Sequence, residues 1–197
     1  PGCNRHETYI FTNADSVRMY KNGNFIKEYV HKNDEFNSLY HAPIKIDDYI
    51  GDALEKEEGM SSAKSNDIKS ILNEVAKVGL YQMSTASKIK AAKMMIFHHM
   101  KMNDAVTLYN KYIGDWGGTA TEYKFEAVKD GKVVKEIIKT PTREVRFEIK
   151  ADHTNLKEDH TYDVACVRIR ALDQNGNLLN YFNDSLILET EGGAKII

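Results

Sequence analysis

The stretch Val17-Arg18-Met19-Tyr20-Lys21-Asn22-Gly23 decides how this chain is read. Val17 and Met19 alternate with Arg18 and Tyr20, which is the period of a strand with one buried face. Asn22-Gly23 then supplies two residues that tolerate positive φ, the strongest short-range hairpin signal, and Phe25 to Val30 reads as the return strand. Upstream, Glu7 to Thr12 is rich in Thr, Tyr, Ile and Phe and is followed by the turn cluster Asn13-Ala14-Asp15. The chain therefore begins as β structure.

From about Asp48 to Ile113 the apolar period changes to three and four and proline disappears, which predicts an all-helical block. Ile68, Ile71, Leu72, Val75 and Val78 form one amphipathic helix, with Ser65 or Asn66 as its N-cap and Gly79 as its stop. A second helix is expected from Thr85 to Lys101. It would bury Ile89, Ala92, Ile96 and His99 or Met100, and leave Lys88, Lys90 and Lys93 in water. A third, starting at Asn103 or Asp104, carries Val106, Tyr109, Tyr112 and Ile113 and ends at Gly114.

Strand signals return after the Gly114-Asp115-Trp116-Gly117-Gly118 loop. Tyr123, Phe125 and Ala127 alternate with Glu122, Lys124 and Glu126, and Asp130-Gly131 turns the chain into Val133 to Lys139. Beyond Pro141, Val145, Phe147 and Ile149 form one alternating run, and Ala165 to Ala171 another that ends at Asn175-Gly176. Leu178 to Phe182 and Leu186 to Glu191 read as two more strands. The fold class is mainly β with an α-helical insertion: an immunoglobulin-like sandwich over 1–142, interrupted at about 48–113, followed by a partial second sandwich over 143–197.

Three ordered stretches carry a family resemblance. Tyr9 to Gly23 resembles a strand-turn-strand of the immunoglobulin-like domain that follows the catalytic barrel in glycoside hydrolase family 2, the β-galactosidase family. Phe125-Glu126-Ala127-Val128-Lys129-Asp130-Gly131-Lys132-Val133 is similar to the hairpin that closes that domain. Tyr162 to Asn177, with Leu186 to Gly192, resembles the opening of the next immunoglobulin-like domain. The helical block departs from the commoner family pattern. The resemblance implies a parent that hydrolyses β-glycosidic bonds with two glutamates on a (β/α)8 barrel, their carboxyls about 5–5.5 Å apart for a retaining reaction. This chain shows no eightfold alternation of strands and helices, and a barrel takes about 250 residues. The chain itself is therefore expected to contain no catalytic residue and no cofactor, and the remaining domains of the parent enzyme are its expected partners.

Other chemistries find little support in the residues. No GxSxG, glycine-rich phosphate loop or Cys/His arrangement is present. The two cysteines, Cys3 and Cys166, are far apart and read as free thiols. His98 and His99 are consecutive, whereas a helical metal pair needs i and i+4, so one is expected packed, one exposed and no metal bound. Asp47 and Asp48 read as the acidic start of the helical block, and Glu55, Glu57 and Glu58 as a solvated stretch. Met94, Met95, Met100 and Met102 read first as the gap-fillers of a small helical core; a plastic groove for a protein partner is the alternative. Trp116 and Tyr112 are the candidate contacts, either packing between elements or stacking on a carbohydrate, which keeps a carbohydrate-binding module as a further alternative.

With 27 basic and 29 acidic residues the formal charge is −2, and the Lys88, Lys90, Lys93, Lys101 group lacks interleaved aromatics, so nucleic acid is not an expected partner. No run approaches the roughly 20 apolar residues that cross a bilayer. The beginning Pro1-Gly2-Cys3 reads as internal, so any signal peptide would lie upstream and a cytoplasmic setting is the default expectation. A second sandwich with only about four strands would leave an open edge and an apolar face including Val167, Ile169 and Leu188, through which two copies are expected to pair, unless the chain's own N-terminal segment covers that edge.

Overall fold

The Asn22-Gly23 turn takes the left-handed conformation its residues permit, with φ of 49° and 82°. It joins strands β2 (Ser16–Lys21) and β3 (Asn24–Val30) in an antiparallel pair with a bulge between Met19 and Tyr20. The structure, a computed structural model, describes residues 8–32, 36–114, 121–193 and 195–197. Asp130 and Gly131, at φ of 50° and 72°, make the second hairpin, between β5 (Tyr123–Lys129) and β6 (Lys132–Lys139). The two hairpins join edge to edge. β2 pairs with β5 from Ser16↔Val128 to Lys21↔Tyr123, which gives one sheet in the order β3-β2-β5-β6.

Alternation along β2 divides the faces of that sheet. Val17 and Met19 are 1% and 0% exposed. On the opposite face Arg18 pairs with Glu28 at 3.2 Å, and the Tyr20 hydroxyl donates to Glu126 at 2.9 Å across 106 residues of sequence. Lys124 completes this polar face with an ion pair to Glu126 at 2.6 Å. A second, two-stranded sheet pairs β1 (Thr8–Ile10) with β4 (Ile44–Ile46), shorter than the expected Glu7 to Thr12 strand, and seals Ile44 and Ile46 from water.

Among the described residues, all helices lie in the chain between β4 and β5: α1 (Ala53–Glu58), α2 (Ser62–Val78), a 3-10 turn (Leu80–Gln82), α3 (Thr85–Phe97) and α4 (Met102–Tyr112). Their inward residues, among them Leu54, Ile68, Leu72, Met94, Leu108 and Ile113, enter the same core as Val17, Met19, Tyr29, Ile44 and Ile46. Strands on both sides of the helical block thus share one sheet, and the helices share that sheet's core. The architecture is β-rich, with several sheets and a few helices.

The helix limits and faces correct the sequence reading in three places. α2 starts a turn earlier than expected, after Ser61 in an extended conformation, because Ala63 and Lys64 are good helix formers; Ser65 lies inside the helix and is buried. α3 ends at Phe97, not Lys101: His99 takes φ of 50°, and the Met100 N–H folds back to the Met94 carbonyl at 3.2 Å. The buried stripe of α3 is Ser87 and Met94, whereas Ile89 and Ile96 are 65% and 66% exposed. Two apolar stripes were available, and polar contacts chose between them. Glu74 of α2 accepts hydrogen bonds from Ser84 and Ser87, and Asp67 pairs with Lys93 at 2.9 Å and Lys90 at 3.8 Å, which turns that side of α3 toward α2. Lys93 stays exposed, as expected, and Lys90 is half-buried; both are ion-paired with Asp67.

The chain divides at Pro141/Thr142 into two units. In the second, β7 (Val145–Ala151) pairs with β8 (Val167–Asp173). Asp173 closes the following turn by accepting from the Asn175 and Asn177 backbone N–H groups at 2.9 and 2.8 Å, with Gly176 at φ of 78°. The expected strands at 178–182 and 186–191 do not form. Leu178 makes an isolated bridge to Leu172, and 186–191 has no ladder partner among the described residues, so its backbone stays outside any sheet. The Val145, Phe147, Ile149 face is 43%, 46% and 66% exposed, with Phe182 edge-on to Phe147 at 5.5 Å.

Candidate functional site

Tyr112 stands where the last turn of α4 meets α1 and β2. Its side chain is 6% exposed, and its hydroxyl lies 2.7 Å from Glu58 Oε1 and 3.1 Å from Glu57 Oε2. One hydroxyl proton serves one carboxylate at a time, and the Lys111 ammonium, 2.7 Å from Glu58 and 3.2 Å from Glu57, bridges both. That ammonium also lies 5.0 Å from the centre of the Tyr112 ring. From β2, the nearly buried Lys21 ammonium donates to the Tyr112 carbonyl at 2.8 Å, a cation placed at the negative end of α4. Tyr112, one of the two candidate contacts, is thus packed among these elements. Trp116, the other candidate contact, and the loop around it lie outside the described residues.

The electrostatics of this cluster are those of a brace. Hydrogen bonding to Lys111, then to Tyr112, holds the Glu58 pKa below the ordinary carboxylate value. Glu58 raises the Lys111 pKa in turn, and burial raises that of Tyr112, followed by its bond to Glu58. Each group is pushed deeper into the charge state it already has at neutral pH. A glycosidase general acid requires the opposite, a carboxyl raised toward neutrality, whereas Glu58 is favoured as the carboxylate. Glu57 and Glu58 are exposed, as expected of a solvated stretch, and Glu58 is in addition an ion-pair partner of Lys111.

A second polar centre surrounds Asp48, which is 7% exposed. Its Oδ1 accepts from the Ile50 and Gly51 backbone N–H groups at 3.1 Å each and from the Asn73 amide at 3.2 Å. Its Oδ2 faces the ammonium groups of Lys69 at 3.4 Å and Lys27 at 3.7 Å. Burial works to raise the Asp48 pKa, yet the two backbone donors, Lys69 and Asn73 together bring it below the ordinary value. Asp48 is therefore not the acidic first turn that was expected. α1 starts after Asp52, and Asp48 pins the loop ahead of it to β3 and α2. Asp47 remains near the surface, paired with Lys32 at 3.3 Å.

The methionines serve both core and groove, and Met94 belongs to each. Met94 is buried, and Met95 and Met102 are 51% and 53% exposed; together with Met83 and Met100 they line an apolar groove of about 90 Å³ among α2, α3 and the start of α4. Sequence reasoning named both outcomes but could not divide the residues between them. His98 and His99 are both exposed, contrary to the expected packed and exposed pair. Among the described residues, no group of three or more His, Cys, Asp and Glu side chains is placed to share a metal ion. Cys166 is a free, exposed thiol.

Against known proteins, the chain is similar to a protein named β-galactosidase from Rhizobium radiobacter. The two are 31% identical over 90 residues, a stretch covering 45% of this chain and 64% of that protein. The chain thus matches that protein over less than two thirds of its length. No family model matches the sequence, and no solved structure matches it.

Proposed function

We propose that this chain is a non-catalytic C-terminal portion of a family 2 glycosidase, with immunoglobulin-like architecture interrupted by helices. In this reading it supports a catalytic barrel or shapes the approach of a β-glycoside to it. The 31% identity to the Rhizobium radiobacter β-galactosidase carries the reading. The two family-like hairpins support it, since both fall on neighbouring strands of one sheet despite the helical block between them. So does the Glu58, Lys111, Tyr112 cluster, in which the lowered Glu58 carboxyl pKa suits bracing rather than proton donation.

The test has two arms. The purified chain should leave a chromogenic aryl β-galactoside unhydrolysed. Added in trans to a family 2 barrel lacking its own C-terminal region, it should raise that barrel's thermal midpoint or activity. Turnover by the chain alone that disappears when a single carboxylate is changed would refute the non-catalytic role, and absence of any effect on the barrel would refute the supporting one.

A further inference from the structure

The groove among α2, α3 and α4 joins concave shape, methionine lining and positive charge. Of the residues on its wall only Lys101 is charged; the others include Ile71, Leu80, Met83, Met95 and Met102. Elsewhere on α3, Ile96 and Phe97 are 66% and 73% exposed. From Thr85 to Phe97 that helix holds three lysines and no acidic residue. Lys90 and Lys93 are occupied by Asp67, whereas Lys88 and Lys101 have no ion-pair partner among the described residues.

We propose that this groove receives the apolar side of an amphipathic helix with acidic flanks, supplied by a partner protein. Such a helix lays apolar side chains at i, i+3, i+4 and i+7 into a hydrophobic groove, and methionine walls adapt to the side chains they meet. The positive charge of Lys88 and Lys101 fixes the partner's sign, because like charges on the flank would repel and opposite charges speed and orient docking. An anionic bilayer would match the charge but not the concavity, since interfacial helices bury a protruding apolar face. The inference is independent of the glycosidase reading.

The test uses the full chain and two fluorescein-labelled synthetic peptides of equal length, both with leucine at the four anchor positions, one flanked by glutamate and the other by lysine. Anisotropy titration should show saturable binding of the glutamate-flanked peptide, weaker at high salt, and at least about tenfold weaker binding of its lysine counterpart. Met95→Glu should abolish the interaction. Lys101→Glu and Lys88→Glu should each weaken it by about two- to fivefold. Val134→Glu, on an exposed position of β6, should leave it unchanged. Far-UV circular dichroism of each variant separates loss of contact from loss of fold, and Lys88→Glu, on a solvated position, remains informative if Met95→Glu unfolds. Equal binding of both peptides, binding of neither, or binding unmoved by Lys101→Glu would overturn the proposal. So would co-sedimentation with phosphatidylserine vesicles in the absence of peptide binding, which would assign the surface to a membrane.

Discussion

The side-chain amide of Asn73, in the middle of α2, donates to Asp48 Oδ1 at 3.2 Å across 25 residues of sequence. The Asn73 oxygen in turn accepts from the Tyr49 backbone N–H at 3.4 Å. One helix side chain thereby holds both a buried carboxylate and the loop that carries it. Removing the carboxylate leaves two backbone N–H groups, an amide and the Lys69 ammonium short of an acceptor. Asp48→Ala should therefore lower stability by about 2–4 kcal/mol, and Asp48→Asn, which keeps an acceptor oxygen, by less. Urea denaturation of the three proteins checks the order; equal stability of wild type and Asp48→Ala would contradict the anchoring role.

The same group sets an acid limit. The Asp48 pKa is lower in the folded chain than its ordinary 3.8, so its contribution is fully present above about pH 4–5 and is lost as pH falls through the folded value. Glu28, Glu58 and Glu74 shift in the same direction and add to the loss. Stability measured from pH 7 downward should fall in that acid range, and Asp48→Asn should show a shallower fall than wild type. Parallel curves would remove Asp48 from the account.

At Tyr112 the ring and the hydroxyl contribute differently. Tyr112→Phe keeps the buried ring and loses the bonds to Glu57 and Glu58, for an expected cost of about 1 kcal/mol. Tyr112→Ala empties the junction of α4 with the core and should cost about 3–5 kcal/mol. Thermal unfolding distinguishes the two. A larger loss for the phenylalanine variant would mean that the polar cluster, not the packed ring, holds α4 in place.

Gly51 and Gly23 both sit at positive φ, 61° and 82° respectively, but in different surroundings. A Cβ on Gly51 would run into the Ile26 carbonyl oxygen of β3, whereas one on Gly23 meets open space. Gly23→Ala should cost about 1 kcal/mol from backbone strain alone, and Gly51→Ala clearly more. Chemical denaturation of the pair measures the difference, and an equal cost at both positions would show that the Gly51 loop moves aside freely.

The orientation of α3 can be tested by a matched pair of substitutions. Met94→Ala should destabilise by about 2–4 kcal/mol, while Ile89→Ala, on an exposed position, should change stability by less than about 0.5 kcal/mol. The reverse order would restore the face read from the sequence.

The amino-acid sequence by itself determined the two hairpins, because Asn22-Gly23 and Asp130-Gly131 act through local backbone preference and the alternation on either side needs no distant partner. It also placed a helical block between strands, since a change of apolar period is likewise local, and it marked Gly79 as the stop of α2. Tertiary structure decided what depends on a partner. Ile89 and Met94 offered α3 two similar stripes, and only Glu74 and Asp67 on α2 selected one. Leu186 to Glu191 alternates like a strand, but a ladder needs a second backbone, so the pattern alone made none. Asp48 reads in sequence as one more acidic residue before a helix. It becomes an anchor because folding brings Lys27, Lys69 and Asn73 to its two oxygens, and the groove beside α3 exists because Met94 turns inward while Met95 and Met102 remain at the surface.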